Sequence, residues 1–225
     1  MSRTFASVRY AWALLLSTQR WSAPAIFLVG LIAWVWNTPP LSVDTVRISL
    51  LVLFALAAWL GHSAGSVEEA GQELVSTSAL GSAARLLVAK WMVAAAISAV
   101  FPLVMVAGSF AWSQYRVSRG FPPLLSADQT WASAVAVLVV AACGAAVGIL
   151  VASLLPAHPG WGTGVLVLVA LAQAAPGWPT VAMLTDTLPR IGQPIAPSLA
   201  VALAVGLVLT GGLLTAAVAV RRPAG

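Results

Sequence analysis

Long stretches without any charged residue alternate along the chain with short polar stretches. Five runs of at least 20 residues contain no Asp, Glu, Lys or Arg, at positions 21–43, 48–67, 91–115, 129–185 and 191–220. A transmembrane helix needs about 20 predominantly apolar residues to cross roughly 30 Å of hydrocarbon. Four runs hold one such helix each, and the run 129–185 holds two because Pro156-Ala157-His158-Pro159-Gly160 interrupts it. The pattern predicts six membrane-spanning helices.

The apolar cores of the six predicted spans are residues 21–36, 48–65, 91–112, 131–155, 161–176 and 198–220. Tryptophan is favoured between lipid headgroups and acyl chains. Tryptophans stand at the predicted span ends as Trp21, Trp36, Trp91, Trp112, Trp131 and Trp161. The predicted fold class is therefore an all-α, polytopic membrane protein, with a single transmembrane domain over residues 1–225.

Residues 2–20, before the first span, have the pattern of an amphipathic helix. Small and basic side chains recur at steps of three and four from Ser2 to Arg20, opposite an apolar stripe that includes Phe5, Trp12 and Leu16. Such a pattern is typical of a helix that lies in the membrane interface. The alternative is a simple helical extension of the first span.

Residues 66–82, between the second and third spans, contain half of the acidic residues of the chain. Glu69 and Glu73 stand one helical turn apart, so we predict a short surface helix. Gly81 is predicted to break it and Ser82 to cap the helix that enters the membrane. The alternative is a solvated turn that only links two spans.

Composition supports a membrane protein and adds an orientation. The chain is 60% hydrophobic and 8% charged, whereas soluble domains are about 45–50% apolar and about 25% charged. This excludes an ordinary soluble domain, a disordered chain and a nucleic-acid binder. With six spans, seven basic residues fall on the side of the N-terminus and four on the other side, so the positive-inside bias predicts that both termini are cytoplasmic. Ten arginines against one lysine are a composition typical of a GC-rich bacterial genome.

The string Gly61-His62-Ser63-Ala64-Gly65 matches a nucleophile elbow, with His158 as the base of an intramembrane hydrolase. An elbow needs a strand-to-helix turn, whereas this string closes an apolar helix. We therefore prefer a packing role, because small residues four apart let helices approach closely. The candidate packing residues are Gly61, Gly65, Gly144, Gly148, Gly160 and Gly164.

Other chemistry finds little support in the sequence. One cysteine and two histidines predict no metal site. No P-loop occurs, since Lys90, the single lysine, follows Leu86-Leu87-Val88-Ala89. No ionisable residue lies in the middle of a predicted span, which disfavours ion-coupled transport. We predict no catalytic, cofactor-binding or metal-binding residue, and no enzyme activity of the chain by itself.

An interfacial helix, six spans and an acidic helix between the second and third span resemble the permease subunits of ABC-2-type exporters. That family typically shows Glu-x-Gly, a Glu-Leu pair, Thr-Pro, Ser and Gly-Lys in this order. The corresponding residues here are Glu69, Gly71, Glu73-Leu74, Ser76-Thr77-Ser78, Ser82 and Lys90. The chain departs from the pattern in having Ala79 near the usual Pro, one residue fewer between Gly71 and Glu73, and Ala89 before Lys90.

The resemblance implies that residues 66–82 are a cytoplasmic coupling segment that docks on a separate ATP-binding cassette subunit, which carries ATP and Mg²⁺. The implied coupling residues are Glu68, Glu69, Gly71, Glu73, Leu74, Ser78 and Ser82. On this interpretation Glu69 and Glu73 face a cleft of the ATPase. The resemblance also implies a dimer with a second permease, identical or homologous, in the lipid membrane. A non-transporting membrane anchor or assembly protein is the alternative, and the sequence does not identify a substrate.

Overall fold

The computed structural model describes residues 3–19, 21–23, 26–27, 29–30, 43–68, 70–121, 126–156, 159–173 and 196–221. Regular structure in these ranges is helical, without β-strands. The helices are α1 (Arg3–Ser17), α2 (Val43–Gly65), α3 (Ala70–Leu80), α4 (Ala83–Ser118), α5 (Ala127–Leu154), α6 (Pro159–Gln173) and α7 (Ala196–Val220).

Three of the described helices are long and apolar enough to cross a membrane, namely Ala83–Ser118, Ala127–Leu154 and the Leu203–Val220 part of α7. The apolar part of α2, Ser49–Gly65, is shorter. Helix α6 has 15 residues, a length of about 22 Å at 1.5 Å per residue, which is less than the roughly 30 Å of hydrocarbon. The predicted span 21–36 lies mostly outside the described residues, and six spans therefore stay a prediction.

Helix α5 is at the centre of the packing and contacts α2, α4, α6 and α7. It begins with a capping box in which Ser126 and Gln129 satisfy each other's backbone N–H groups. Its sequence is apolar on every face, as expected for a helix surrounded by other helices. Leu53 and Phe54 of α2 and Ala99 of α4 belong to the largest cluster of buried side chains around it.

Glycines permit the close contact between α2 and α5. A Cβ atom added at Gly144 would lie 2.7 Å from the carbonyl oxygen of Phe54, and one at Gly65 would lie 2.6 Å from the Cβ of Ala152. Cβ atoms at Gly61 and Gly148 would overlap the backbone of the facing helix. The two backbones therefore approach to a distance that a larger side chain would prevent.

The other candidate packing glycines behave differently. A Cβ at Gly164 would meet no atom within 4 Å. The surroundings of Gly160 lie outside what the structure describes. Gly162 instead makes the close approach on α6, since a Cβ there would lie 2.8 Å from Nε2 of His62. The spacing of small residues predicted Gly160 and Gly164, whereas the contact is made by Gly162, on a different face of α6 from Gly164.

Helix α1 packs against α4 through a narrow face. Ser7, Ala11 and Leu15, spaced four residues apart, are buried, whereas Phe5 and Trp12 are exposed. The helix ends at Ser17, and Gln19 has a positive φ of 53°, a left-handed conformation that interrupts a helix. Helix α1 therefore ends before residue 21, where the predicted first span begins.

The tryptophans at predicted span ends fall into two groups. Trp112, Trp131 and Trp161 are exposed, as residues in a headgroup layer would be. Trp91 is partly buried, and its Nε1–H donates to the carbonyl of Ala142 on α5 at 2.9 Å. Trp91 is thus a helix-to-helix contact, because its indole finds a backbone acceptor inside the bundle.

We expect Gly148→Val to lower the free energy of unfolding by about 1–3 kcal/mol, since the added atoms must displace the α2 backbone. Gly164→Val is the matched control, because it places the same side chain in a helix where a Cβ meets open space. Thermal unfolding in detergent measures both. Equal shifts for the two variants would contradict the close α2–α5 contact.

Candidate functional site

Polar side chains from most of the described helices gather at one end of the bundle. We call this group the polar cluster. Its members come from α1, the bend after α2, α3, α4, α5 and the residue after α7, and they are Tyr10, Glu68, Glu73, Ser76, Lys90, Ser153 and Arg221. The cluster includes two carboxylates and two basic groups, so its formal charge is balanced.

Local sequence signals determine where α3 ends and α4 begins. Gly81 ends α3 with a φ of +78°, and its N–H donates to the carbonyl of Thr77 at 2.8 Å, an arrangement that glycine adopts without steric cost. Ser82 then caps α4, and its Oγ accepts from the N–H of Arg85 at 3.5 Å. In the structure, residues 70–80 are helical, Gly81 follows the end of α3, and Ser82 is the N-cap of α4.

Glu68 and Lys90 form a buried ion pair. Their side chains are each 1% exposed, and Lys90 Nζ lies 2.5 Å from Glu68 Oε2. The other carboxylate oxygen, Oε1, accepts hydrogen bonds from Tyr10 Oη at 2.7 Å and from Ser76 Oγ at 2.6 Å. One carboxylate thus connects α1, α3 and α4.

Forming the Glu68–Lys90 pair costs desolvation free energy, and removing one partner costs more because it leaves the other charge buried and unpaired. Removing two ions from water carries a penalty of several kcal/mol per ion, which close pairing and additional hydrogen bonds offset. Glu68 has both a cation and two hydroxyl donors, whereas no hydrogen-bond partner of Lys90 Nζ beyond its ion pair is found in the described part of the chain. The energetic consequence of losing a partner is therefore larger for Lys90.

The environment keeps Glu68 ionised. Burial acts to raise the pKa of Glu68, but the hydrogen bonds from Lys90, Ser76 and Tyr10, together with the Lys90 charge, outweigh it and lower the pKa below its ordinary value. For Tyr10, the hydrogen bond with Ser76 acts to lower the pKa, while partial burial and the Glu68 carboxylate raise it above its ordinary value. The proton therefore stays on the phenol, which donates to the carboxylate.

Arg221 holds the end of α7 in the same cluster. Its guanidinium pairs with the carboxylate of Glu73. Its Nε donates to Ser153 Oγ at 3.0 Å and its Nη2 donates to the carbonyl of Gly65 at 3.1 Å. A single side chain therefore ties α3 to the ends of α2, α5 and α7.

The acidic residues that the sequence assigned to one coupling surface lie in different surroundings in the structure. Glu68 lies in the bend before α3, not on it, and points inward. The carboxylate of Glu73, which the sequence predicts to face a cleft of an ATPase, pairs with Arg221 of the same chain and is partly exposed. Glu69 lies outside the described residues, and Gly71 and Leu74 are described only as part of the α3 backbone.

The outer face of α3 consists of uncharged residues. Gln72, Val75, Ser78 and Ala79 are exposed, and Val75 is 69% exposed. Ser78 Oγ donates to the carbonyl of Val75 at 2.7 Å and so satisfies the helix itself. The surface that α3 presents is small and weakly polar, because its acidic side chain at Glu73 is used internally.

Sequence reasoning missed Tyr10, Ser153 and Arg221 as members of this cluster. The available signal was compositional, since a lysine and three acids near apolar helices require partners. Which partners they find depends on helix positions that no local motif encodes.

The hydrolase interpretation finds no geometric support. The string 61–65 lies entirely within α2, and Ser63 is buried at 6% exposure, whereas a nucleophile elbow exposes its serine on a turn. His158 lies outside the described residues. Within the described part of the chain, no group of three or more His, Cys, Asp or Glu side chains is arranged to hold a metal ion.

Comparison with protein-family models, with curated proteins and with solved structures gives no match to this chain.

We expect Glu68→Gln to lower the free energy of unfolding by about 3–5 kcal/mol, because it leaves the Lys90 ammonium buried without a carboxylate. Lys90→Met should cost less, since Tyr10 and Ser76 still donate to the carboxylate. The double variant should cost less than the sum of the single variants. Unfolding in detergent measures all three, with Glu73→Gln as the control for a more exposed pair, expected near 1 kcal/mol. Strict additivity would show that the two charges do not interact.

The lowered pKa of Glu68 also predicts a pH dependence. The unfolded state binds the proton more readily, so the pair contributes its full stability above the ordinary glutamate value of 4.5 and loses it as the pH falls through the lower folded pKa. The melting temperature of the wild type should therefore fall on acidification below about pH 4.5. Glu68→Gln should show a weaker fall over the same range, and an identical fall would assign the dependence to other groups.

Proposed function

We propose that the chain is the membrane-spanning permease subunit of an ABC-2-type exporter, driven by ATP hydrolysis on a separate ATP-binding cassette subunit. The observation that carries the proposal is the helix α3, a short element between α2 and α4 that is anchored to the bundle by buried charges. One of its faces is left exposed. A loop that only connects two spans does not need such anchoring.

The anchoring provides a physical route for coupling. A displacement of α3 acts on α4 through the Ser76 hydrogen bond to Glu68 and the Glu68–Lys90 ion pair, and on the end of α7 through Glu73 and Arg221. Helix α4 is 36 residues long, about 54 Å at 1.5 Å per residue, so it extends well beyond a hydrocarbon layer of roughly 30 Å. In this proposal, a chain of packed and hydrogen-bonded elements carries the change at α3 to the membrane-spanning helices.

The docking surface on α3 is the exposed face around Val75, with Gln72 and Ala79 one turn to either side. In this proposal the coupling residues divide into two groups. Glu68, Glu73 and Ser82 hold α3 and α4 in place, and Val75, Ser78 and Glu69 contact the ATPase. An exposed valine suits a small apolar cavity in a partner, with polar contacts at the rim.

The remaining assignments follow from the same proposal. The polar cluster faces the cytoplasm of a bacterial cell, with both termini on that side, and six spans cross the inner membrane. Two permeases, identical or homologous, form the translocation pathway, and ATP and Mg²⁺ bind only to the partner subunits. The alternative function, a non-transporting membrane anchor or assembly protein, predicts no ATP-binding partner.

We expect Val75→Arg to prevent co-purification with an ATP-binding subunit encoded beside this chain, because an added cation at the centre of the docking face is left without a partner. The control is Val117→Arg, the same substitution at another exposed position at the far end of α4, where Val117 is 46% exposed. Pull-down from detergent and ATP hydrolysis of the complex measure the effect. The double change Glu69→Lys with Glu73→Lys is a less selective test, since Glu73→Lys also places a cation against Arg221.

Two outcomes contradict the proposal in different ways. If Val75→Arg and the wild type retain the ATPase equally, α3 is not the docking element. If the wild type retains no ATP-binding subunit, the chain is an anchor or assembly protein.

A further inference from the structure

A second group of chemically distinctive side chains lies at the opposite end of α4 from the polar cluster. Trp112, Tyr115, Arg116, Arg119 and Phe121 line a pocket of about 480 Å³. Lys90 and Arg116 are separated by about 40 Å along the helix, at 1.5 Å per residue. The pocket therefore lies where a candidate membrane-spanning helix ends.

The end of α4 folds an aromatic ring back over this pocket. Gly120 has a φ of +79°, which glycine adopts at helix ends. The N–H of Phe121 then donates to the carbonyl of Arg116 at 3.0 Å. As a result, the guanidinium carbon of Arg116 lies 5.5 Å from the centre of the Phe121 ring.

Two further rings, those of Tyr115 and Trp112, line the same pocket. The guanidinium carbon of Arg119 lies 5.3 Å from the centre of the Tyr115 ring. Tyr115 in turn stacks on Trp112, with ring centres 5.4 Å apart and an angle of 26° between planes. Both arginines are thus held against aromatic faces, which orients their N–H groups and reduces the entropy lost on binding a ligand.

Neither arginine forms an ion pair in the described part of the chain, and Asp128, in the first turn of α5, is exposed. The carboxylates of Glu68 and Glu73 pair with Lys90 and Arg221 at the other end of the bundle. Arg116 Nε is buried and has no hydrogen-bond partner among the described residues. A buried donor on a cation requires an acceptor, and an anion with several oxygens supplies one to both guanidinium groups.

The apolar surroundings define the rest of the ligand. Trp112 and Tyr115 are 56% and 48% exposed, the type of ring favoured between headgroups and acyl chains. Val100 and Val104, exposed at 55% and 63%, continue the same face of α4 in steps of four residues toward the middle of the helix. Acyl chains lying along this stripe place a headgroup at the arginines.

We propose that the pocket binds the headgroup phosphate of an anionic phospholipid. Arg116 and Arg119 contact the phosphate oxygens, and the Trp112 and Tyr115 rings contact the glycerol and the first acyl carbons. The inference uses the position of the pocket at the end of a candidate span and does not depend on the proposed permease function.

The test uses the full-length protein in detergent, with phosphatidylglycerol and phosphatidylcholine of identical acyl chains as probes and native mass spectrometry as the readout. Phosphatidylglycerol should remain bound in clear preference to phosphatidylcholine. Arg116→Gln with Arg119→Gln should weaken phosphatidylglycerol binding by about tenfold or more, the loss expected for charge-assisted hydrogen bonds. The control is Arg9→Gln, which removes one positive charge at an exposed position of α1.

Several outcomes would overturn the proposal. Equal retention of the two lipids would show that the headgroup charge is not recognised. An equal effect of Arg9→Gln would assign binding to net charge. Displacement of phosphatidylglycerol by millimolar inorganic phosphate would show a free-anion site instead. If the double variant does not elute as a single species, Arg116→Lys decides, since it keeps the charge, loses the guanidinium geometry and should still weaken binding.

Discussion

The buried ion pair between Glu68 and Lys90 is the constraint on which the arrangement of the polar end depends. Two charges removed from water are tolerated only when they meet and when their remaining hydrogen-bonding capacity is satisfied. Meeting this requirement brings the bend after α2 to the first turns of α4, and the hydroxyl donors Tyr10 and Ser76 bring α1 and α3 to the same point. The position of the exposed α3 face follows from these contacts.

The close packing of α2 against α5 is directly connected to the polar cluster. Gly65 allows α2 to approach Ala152 of α5, and its carbonyl accepts a hydrogen bond from Arg221. The next residue of α5, Ser153, accepts from the same guanidinium. The close α2–α5 contact therefore positions the acceptors that hold the end of α7, so that helix packing and the ion pairs support each other.

The two ends of α4 differ in how their charges are satisfied. At the polar end, acids and bases of the chain neutralise each other, and the exposed face of α3 is uncharged. At the other end, Arg116 and Arg119 are held by aromatic rings and form no ion pair within the described part of the chain. A neutralised cluster suits a mechanical connection, whereas cations without internal partners suit an anionic ligand.

The sequence by itself determined the helical, membrane-type architecture and several element ends, because these depend on local properties. Charge-free runs predict α4, α5 and α7, and Gly81 and Ser82 predict the boundary between α3 and α4. Tertiary structure decided which way the acidic side chains point. Glu73 has the pattern of a surface residue, yet Arg221, far along the chain, is close enough to pair with it. Likewise the spacing of small residues predicts that helices pack, but whether Gly162 or Gly164 makes the contact depends on the rotation of α6 against α2, which the packing of the whole bundle determines.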